Sequence, residues 1–486
     1  MFFHKKKKRF WPFVLFFFMV GVLSAGVYAY RWFFSFDPGE LLSQPLVREQ
    51  INKRFGLEHA GLFDLAPYVL GFDKPHTVLV LFLNDTELRP GGGFIGSYAV
   101  VRLDKGKTQI LSMQGSESLD KNAELALLGE PPGPIRTYVG VDKWFFRDSN
   151  WSPDFSINAR KALELYKDEG GLASEDIDMV FGITTHVLEE ILRLSGPIAV
   201  EGIEFNTDKA VETLEYEVEY GYKERGIAFE HRKDIMAPLM KKIMEQLSVS
   251  IFSDTKGLIA LFESLAKQKY IMAYSLDAAL QEKFVSAGLG AQTLSNTGDY
   301  LQWVDANLAA LKTDHALERK LSYHFTKQDE GSYIAAVTMT YNHKGSFDWR
   351  TSRYRTYARI FVPSGSYVTS LYDSDGRVLS HDEIEQGEEN GKQWFGAFIS
   401  IEPGQSKEMT FVYGLPDQIQ DSIEKGLYTL VVQKQAGTAA HSLTLDLDFD
   451  TTIKAAQPAE AQDIWNDDHY TLDLNLAEDR AFEVRF

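Results

Sequence analysis

The chain of 486 residues contains no cysteine. Disulfides, thiolate catalysis and cysteine-ligated metals are excluded, so whatever folds must be held by its cores alone. Basic residues are also scarce, with 50 Lys and Arg against 69 Asp and Glu and a formal net charge of -19. Lys5 to Arg9 and Arg31 make the first 35 residues wholly basic, which leaves a net charge of about -25 on the rest. A surface that acidic excludes nucleic acid as a partner unless it carries a local basic patch, and it suits divalent cations or cationic partners better. Neither G-x-S-x-G nor H-E-x-x-H occurs, and the eleven histidines show no ligand spacing, so nothing favours a serine or zinc hydrolase.

Long apolar runs are nearly missing too, with one exception. Phe10 to Tyr30 carries no charge, follows the basic cluster Lys5 to Arg9 and ends in the aromatic collar Tyr30, Trp32, Phe33 and Phe34. At about 1.5 Å per residue these 21 residues can cross a hydrocarbon layer of about 30 Å. The expected layout is a cytoplasmic tail at 1–9, a single-pass transmembrane anchor at 10–34 contacting the lipid bilayer, and an extracytoplasmic remainder. A cleaved signal peptide is the rival, given the small residues near Ala25, but the run exceeds a usual h-region. Residues 35–75 are amphipathic and read as a juxtamembrane helical stalk.

The stretch VLVLFLNDTELRPGGGFIGSYAVVRLD, from Val78 to Asp104, is the element on which the rest of the chain is organised. Val78 to Leu83 is a β-branched apolar run, the pattern of a central strand buried on both faces. Gly91, Gly93 and Gly96 fit G-x-G-x-x-G, yet Ser97 to Leu103 alternates like a strand, whereas a dinucleotide turn needs a helix there. The triplet Gly91, Gly92 and Gly93 is then a tight bend, or a place where an anionic ligand approaches the backbone with Arg89 at the rim.

Thr108 to Met113 is a third strand. In WFFRDSNWSPDFSINARKALELY, Asp154 is a helix N-cap, and Arg147, Asp148 and Asn150 crowd the loop before it, either as a capped loop with an ion pair or as a binding site. Asp176 to Phe181, Thr184 to Leu194 and Ile198 to Val200 read as strand, helix and strand, a parallel crossover. Asn206 to Tyr222 and Asp234 to Leu247 read as helices. Lys223, Arg225, His231, Arg232 and Lys233 gather around them, either to neutralise Glu215, Glu217, Glu219 and Glu230 or to bind an anion. Lys256 to Gly290 reads as mostly helical.

Beyond Leu321 seven short β-type runs separated by turns suggest a β-sandwich: Tyr333 to Tyr341, Tyr357 to Val362, Tyr367 to Tyr372, Trp394 to Ile401, Glu408 to Val412, Leu427 to Gln433 and Leu443 to Leu447. The expected organisation is an α/β domain at 76–318, with a central, largely parallel or mixed sheet covered by helices, then a sandwich at 319–454 and an acidic C-terminal tail at 455–486.

At NDTELRPGGGFIGSY, RDSNWSPDF, LRLSGPIAV, YRTYARIFVPSGS, PGQSKEMTFVYGLP and YTLVVQKQAG the chain resembles a bacterial membrane-anchored family, the domain-of-unknown-function family numbered four-thousand-and-twelve, over Val78 to Gly437. That family brings no established activity. A more distant, topological likeness over Val78 to Leu247 is to the LytR-CpsA-Psr domain, also anchored by one N-terminal helix. Its members transfer glycopolymers from polyprenyl pyrophosphate to the cell wall, with arginines on the phosphates and Asp with magnesium. Its Arg-Ser-Asp-Thr motif falls here on Gly93, Phe94, Ile95 and Gly96, and its Ile-Pro-Arg-Asp on Met113, Gln114, Gly115 and Ser116, while its Arg-rich segment is better matched by Arg225 and Arg232.

Two functions are expected. The first is a cell-envelope protein that binds or organises a surface glycopolymer or a partner protein through the α/β cleft and the sandwich. The second is a phosphotransferase-like enzyme on polyprenyl-pyrophosphate-linked glycopolymer, with Arg89, Arg147, Arg225 and Arg232 on the phosphates and Asp85, Asp148 or Asp154 holding Mg.

Overall fold

The computed structural model describes residues 60–328, 331–374, 376–380, 383–461 and 466–486. The anchor expected at 10–34, and the stalk as far as residue 59, lie outside these residues. Among the described residues no helix is long and apolar enough to cross a membrane.

The first sheet is built around β1 (His76–Asn84), flanked by β2 (Phe94–Asp104), β3 (Lys107–Gly115), β4 (Met179–Thr184) and, after a separate hairpin of β5 (Ile198–Val200) and β6 (Ile203–Phe205), by β7 (Ile271–Ser275). Its order is β3-β2-β1-β4-β7. β1 runs parallel to β4 and antiparallel to β2, and β7 is antiparallel to β4, so the sheet is mixed. Alternation along β1 sends Val78 and Val80 into one core and Leu79, Leu81 and Leu83 into another, which explains why the run is apolar at every position. Helices His186–Ser195, Met236–Ser253, Thr255–Lys267 and Ala278–Ser286 cover the first face, and helix Phe155–Asp168 the second.

Two expectations are corrected. Helix Ala60–Val69 is not part of a stalk, because Leu62, Leu65, Ala66 and Val69 sit in the same core as Val78 and Ala99. β5 does not return to the sheet: it pairs with β6 across the Glu201–Gly202 turn, while the edge of β4 is taken by β7. The stretch 256–290 is mostly helical as expected, with β7, whose five residues are all buried, between its two helices.

The C-terminal part is a two-sheet sandwich. Its strands are β8 (Asp299–Asn307), β9 (Leu317–Lys327), β10 (Tyr333–His343), β11 (Tyr354–Pro363), β12 (Tyr367–Asp373), β13 (Glu385–Glu389), β14 (Lys392–Ile401), β15 (Ser406–Gly414), β16 (Leu427–Gln433), β17 (His441–Asp448), β18 (Ala455–Gln457), β19 (His469–Leu476) and β20 (Arg480–Arg485). One sheet has the order β12-β15-β10-β9-β17-β19, the other β13-β14-β11-β8-β16-β20-β18. β10 alternates strictly between buried and half-buried positions, so Ala335, Val337, Met339 and Tyr341 all face the shared core. Each of the larger side chains among them contributes about 1.5–3 kcal/mol relative to exposure.

All seven β-type runs expected after Leu321 are strands. The sandwich nevertheless begins at Asp299 rather than 319, and the stretch expected as a tail at 455–486 supplies β18, β19 and β20. Tyr470, Leu476, Phe482 and Val484 fill the core, while Asp473 and Glu483 take outward positions on these strands and Asp467, Asp468, Glu478 and Asp479 lie in the connections beside them.

Candidate functional site

The turn after β1 is closed by the sandwich. Gly91, Gly92 and Gly93 are buried, and Gly91 forms a parallel bridge to Ala436. A Cβ on Gly437 would overlap the Gly92 carbonyl, so the two backbones approach as closely as two glycines allow. Arg89 is sealed beneath this contact. Its Nη1 donates to the Asn307 carbonyl at 2.5 Å and its Nη2 to Glu87 Oε1 at 3.3 Å, while its own carbonyl accepts from Gln435 Nε2 at 3.1 Å. The bend joins the two units and offers no open backbone cradle to an anion.

The loop before helix Phe155–Asp168 extends the same construction. Asp148 stands between Arg89 Nη2 at 3.7 Å and Arg147 Nε at 3.5 Å. The Asn150 carbonyl accepts from the Gly91 N–H at 3.1 Å, and its side-chain amide donates to the Gly93 carbonyl. Asp154 caps its helix, accepting from the Ser156 N–H at 2.8 Å and from the Thr293 N–H at 2.9 Å. Four expected site residues (Arg89, Asp148, Asn150 and Asp154) are therefore buried structural groups.

Open space lies on the other side of the same sheet edge. The pairings bring the end of β1, the start of β2, the end of β3 and the end of β4 to one edge, as Asn84 faces Phe94, Ser97 faces Gly115 and Leu83 faces Thr184. In an open α/β sheet, ligands bind beyond the carboxyl ends of the parallel strands. A cleft of 820 Å³ opens there, bordered by Ser97, Gln114, Glu117, Arg232, Lys233 and Met236. It continues into a 350 Å³ recess that adds Phe82, Asn84, Phe94, Arg147, Glu215 and Lys312.

The cations of this cleft are held by acids from distant parts of the chain. The Glu117 carboxylate receives Arg232 Nη2 and Lys233 Nζ, each at 2.7 Å, and Lys233 also donates to the Gly96 carbonyl at 2.6 Å. Burial drives the Lys233 ammonium below its ordinary value in spite of Glu117. Burial opposes the charge on Glu117, but Lys233 and Arg232 outweigh it and hold that carboxyl below the usual range. Arg147 bonds Asp120, and burial raises both Asp120 and its neighbour Glu169, the Asp120 carboxyl adding to the cost of charge on Glu169. Lys312, from the loop before β9, reaches Glu219 at 3.3 Å.

Below the recess lies an apolar pocket of 80 Å³ between β1, β4 and helices His186–Ser195, Ala210–Tyr216 and Met236–Ser253. Ile183, Leu188, Ile191, Leu239, Met240 and Ile243 line it, and Phe82, Thr185, Leu214 and Met236 border both it and the recess. The methionines matter because their flexible thioethers let a narrow apolar space widen around a ligand.

Of the expected arginines, then, Arg147 and Arg232 face one cavity and Arg89 does not. Arg225 pairs instead with Glu217 at 2.9 Å and Glu201 at 3.6 Å, which realises the neutralisation reading for that residue. The carboxylates expected to hold Mg do not converge: Asp148 is taken by two arginines, Asp154 by its helix, and Asp85 by the Thr185 hydroxyl and the His186 N–H at 3.2 Å. Burial also pushes Asp85 up to about 7, which weakens it as a cation ligand. Among the described residues the donors close enough to share an ion are Asp448, Asp468 and His469, on the sandwich and outside the cleft. Sequence reasoning missed Glu117, Lys312 and the apolar pocket. Arg147, Arg232 and Lys233, all three singled out in the sequence, are the visible signs of the cleft's charge.

No curated protein matches the chain. Weak likeness extends to many solved structures, of which two serve as examples. A candidate nutrient-binding protein of Legionella pneumophila has 7% identity over 39% of this chain and 71% of its own, with a TM-score of 0.27. An M1 zinc metallopeptidase of Deinococcus radiodurans has 12% identity, and the match covers 37% of this chain and 43% of the peptidase, with a TM-score of 0.18. At such scores neither bears on the fold or chemistry found here. The family described as "Protein of unknown function (DUF4012)" matches residues 73–219, which take in NDTELRPGGGFIGSY, RDSNWSPDF and LRLSGPIAV but not the β-rich motifs expected to extend the likeness. Residues 73–219, which carry β1 to β6, the bend and most of the cleft wall, are the part of the chain that matches this family.

Proposed function

We propose that the cleft holds an elongated ligand with an anionic head and an apolar tail, of the class of polyprenyl-phosphate-linked envelope glycopolymers, and that the chain binds or organises this ligand without transforming it. The observation that carries this reading is continuity: the recess with Arg147, Arg232, Lys233 and Lys312 shares Phe82, Thr185, Leu214 and Met236 with the apolar pocket. A ligand with only a charged group would leave the pocket unused, and one with only a tail would not need four cations. The anchor read at 10–34, with its uncharged run Phe10 to Tyr30, supports the reading, since it would hold the cleft near the membrane in which such a ligand is embedded.

Transfer of glycopolymer from polyprenyl pyrophosphate is the second reading. Arg147 and Arg232 facing one cavity favours it, as does the LytR-CpsA-Psr resemblance. The divergence of Asp85, Asp148 and Asp154 speaks against it, because leaving-group stabilisation by a metal needs carboxylates that meet.

Calorimetric titration with farnesyl pyrophosphate tests the proposal. Binding is expected, and Leu188→Glu, which puts a charge on the pocket wall, is expected to weaken it at least about tenfold. Absence of binding, or equal binding by the variant, would overturn the tail assignment. Release of polyprenyl phosphate from a lipid-linked donor would establish the second reading instead.

A further inference from the structure

We infer that Arg232 and Lys233 form the subsite for the ligand's phosphate-type dianion, and that the Glu117 carboxylate occupies this subsite in the free protein as a stand-in for it. The inference rests on the proposed function for the ligand's class but on separate observations for the subsite.

Two adjacent cations, from the turn ahead of helix Met236–Ser253, converge on the one carboxylate of Glu117 just past the end of β3, each at 2.7 Å. Glu117 is the one carboxylate bonded to both cations, with Glu219 acting on Lys233 from farther off, and both cations are largely shielded from water, with 11% and 17% of their side chains exposed. The guanidinium is also incompletely used, since the buried Arg232 Nε has no hydrogen-bond partner. Its other face is fixed by the Phe229 ring at 3.9 Å, so the guanidinium plane is set in advance. A planar fork held in place with a free donor is suited to two oxygens of a phosphate, and the neighbouring ammonium supplies the point charge.

Glu117 can leave. It stands in helix Ser116–Asp120, with 28% of its side chain exposed at the cleft wall. The remaining acids of the larger opening, Glu201, Glu230 and Asp234, are exposed at the rim, where water and salt screen them, and those of the recess, Glu87, Glu215 and Glu219, are paired with Arg89, Arg350 and Lys312. Displacement costs the protein one ion pair on each cation and returns a doubly charged one, so a dianion is favoured over a monoanion. That makes Glu117 a specificity-determining residue for the charge of the head group.

The test titrates wild type, Glu117→Gln, Arg232→Gln and Lys233→Gln with farnesyl pyrophosphate and, separately, with inorganic pyrophosphate, thermal melts serving to confirm each fold. Removing the competitor is expected to tighten both probes at least about tenfold in Glu117→Gln, and the two cation variants are expected to weaken both by a similar factor, the scale of one charge-assisted hydrogen bond. If farnesyl pyrophosphate binds but Glu117→Gln leaves its affinity unchanged or lowers it, the subsite is wrong while the amphiphile reading stands. If Glu117→Gln tightens inorganic pyrophosphate and the farnesyl chain adds nothing, the subsite stands and the tail reading falls. If no variant binds either probe, both fall. Should Glu117→Gln fail to fold, unchanged affinity in Lys233→Gln would by itself overturn the subsite.

Discussion

Asp148 stands 3.7 Å from the Arg89 guanidinium, with only 5% and 4% of the two side chains exposed. Removing Asp148 leaves the buried Arg89 with Glu87 alone, and removing Arg89 leaves the buried Asp148 with Arg147 alone. Arg89→Ala is expected to cost about 3–5 kcal/mol of unfolding free energy, the range for breaking a buried ion pair from one side. Arg147→Ala, whose side chain is 26% exposed, is expected to cost clearly less. Denaturant unfolding of both variants checks the order, and equal costs would contradict the assignment of Arg89 to the seam.

Gly437 has a φ of +76°, and a Cβ there would overlap the Gly92 carbonyl. Gly437→Ala therefore combines a left-handed backbone cost of about 1–2 kcal/mol with a steric clash across the seam between the two units. Calorimetry should resolve two unfolding transitions in the variant where the wild type shows one. A single transition at the wild-type temperature would show that the seam is not a unit of stability.

Buried carboxyls set a pH dependence. Asp299 is fully buried and accepts from the Tyr428 hydroxyl at 2.7 Å and the Tyr300 N–H at 2.7 Å; burial is the largest influence and pushes its carboxyl up to about 6. Because this folded value lies above the ordinary one of 3.8, the native state binds the extra proton between the two. Stability contributed by that proton is present at low pH and is lost as pH rises from about 4 through 6. Asp85, raised to about 7, extends the decline to neutral pH. Asp299→Asn should flatten the slope of unfolding free energy between about pH 4 and 6 relative to wild type, and an unchanged slope would contradict the burial account.

Legibility in the sequence depended on how far apart the interacting residues lie. β1 could be read because both of its faces are buried and no polar residue interrupts it, and β10, β11 and β14 to β17 because local alternation or β-branched runs mark them. β8 escaped notice because Asp299, Gln302 and Asp305 break its apolar run. Their partners, among them Tyr323, Tyr428 and Tyr341, are supplied by strands far along the chain. β19 and β20 were hidden by the acidic connections around them, Asp467 and Asp468 before β19 and Glu478 and Asp479 before β20. For the site, the absence of a helix after Gly96 correctly argued against a dinucleotide turn, but nothing local shows that Ala436 and Gly437 would close over the bend. Arg232 and Lys233 stood out as a basic cluster on an acidic chain. Their partner Glu117 lies 116 residues from Lys233 and carries no motif that could announce it.

The claim on which the account depends is that one ligand spans the charged recess and the apolar pocket beneath it. Hydrogen–deuterium exchange of the full chain, with and without farnesyl pyrophosphate, tests this most directly. Slowed exchange is expected in helices His186–Ser195 and Met236–Ser253 together with the 229–235 turn. Exchange that is unchanged in both helices, or slowed only in the sandwich, would contradict it.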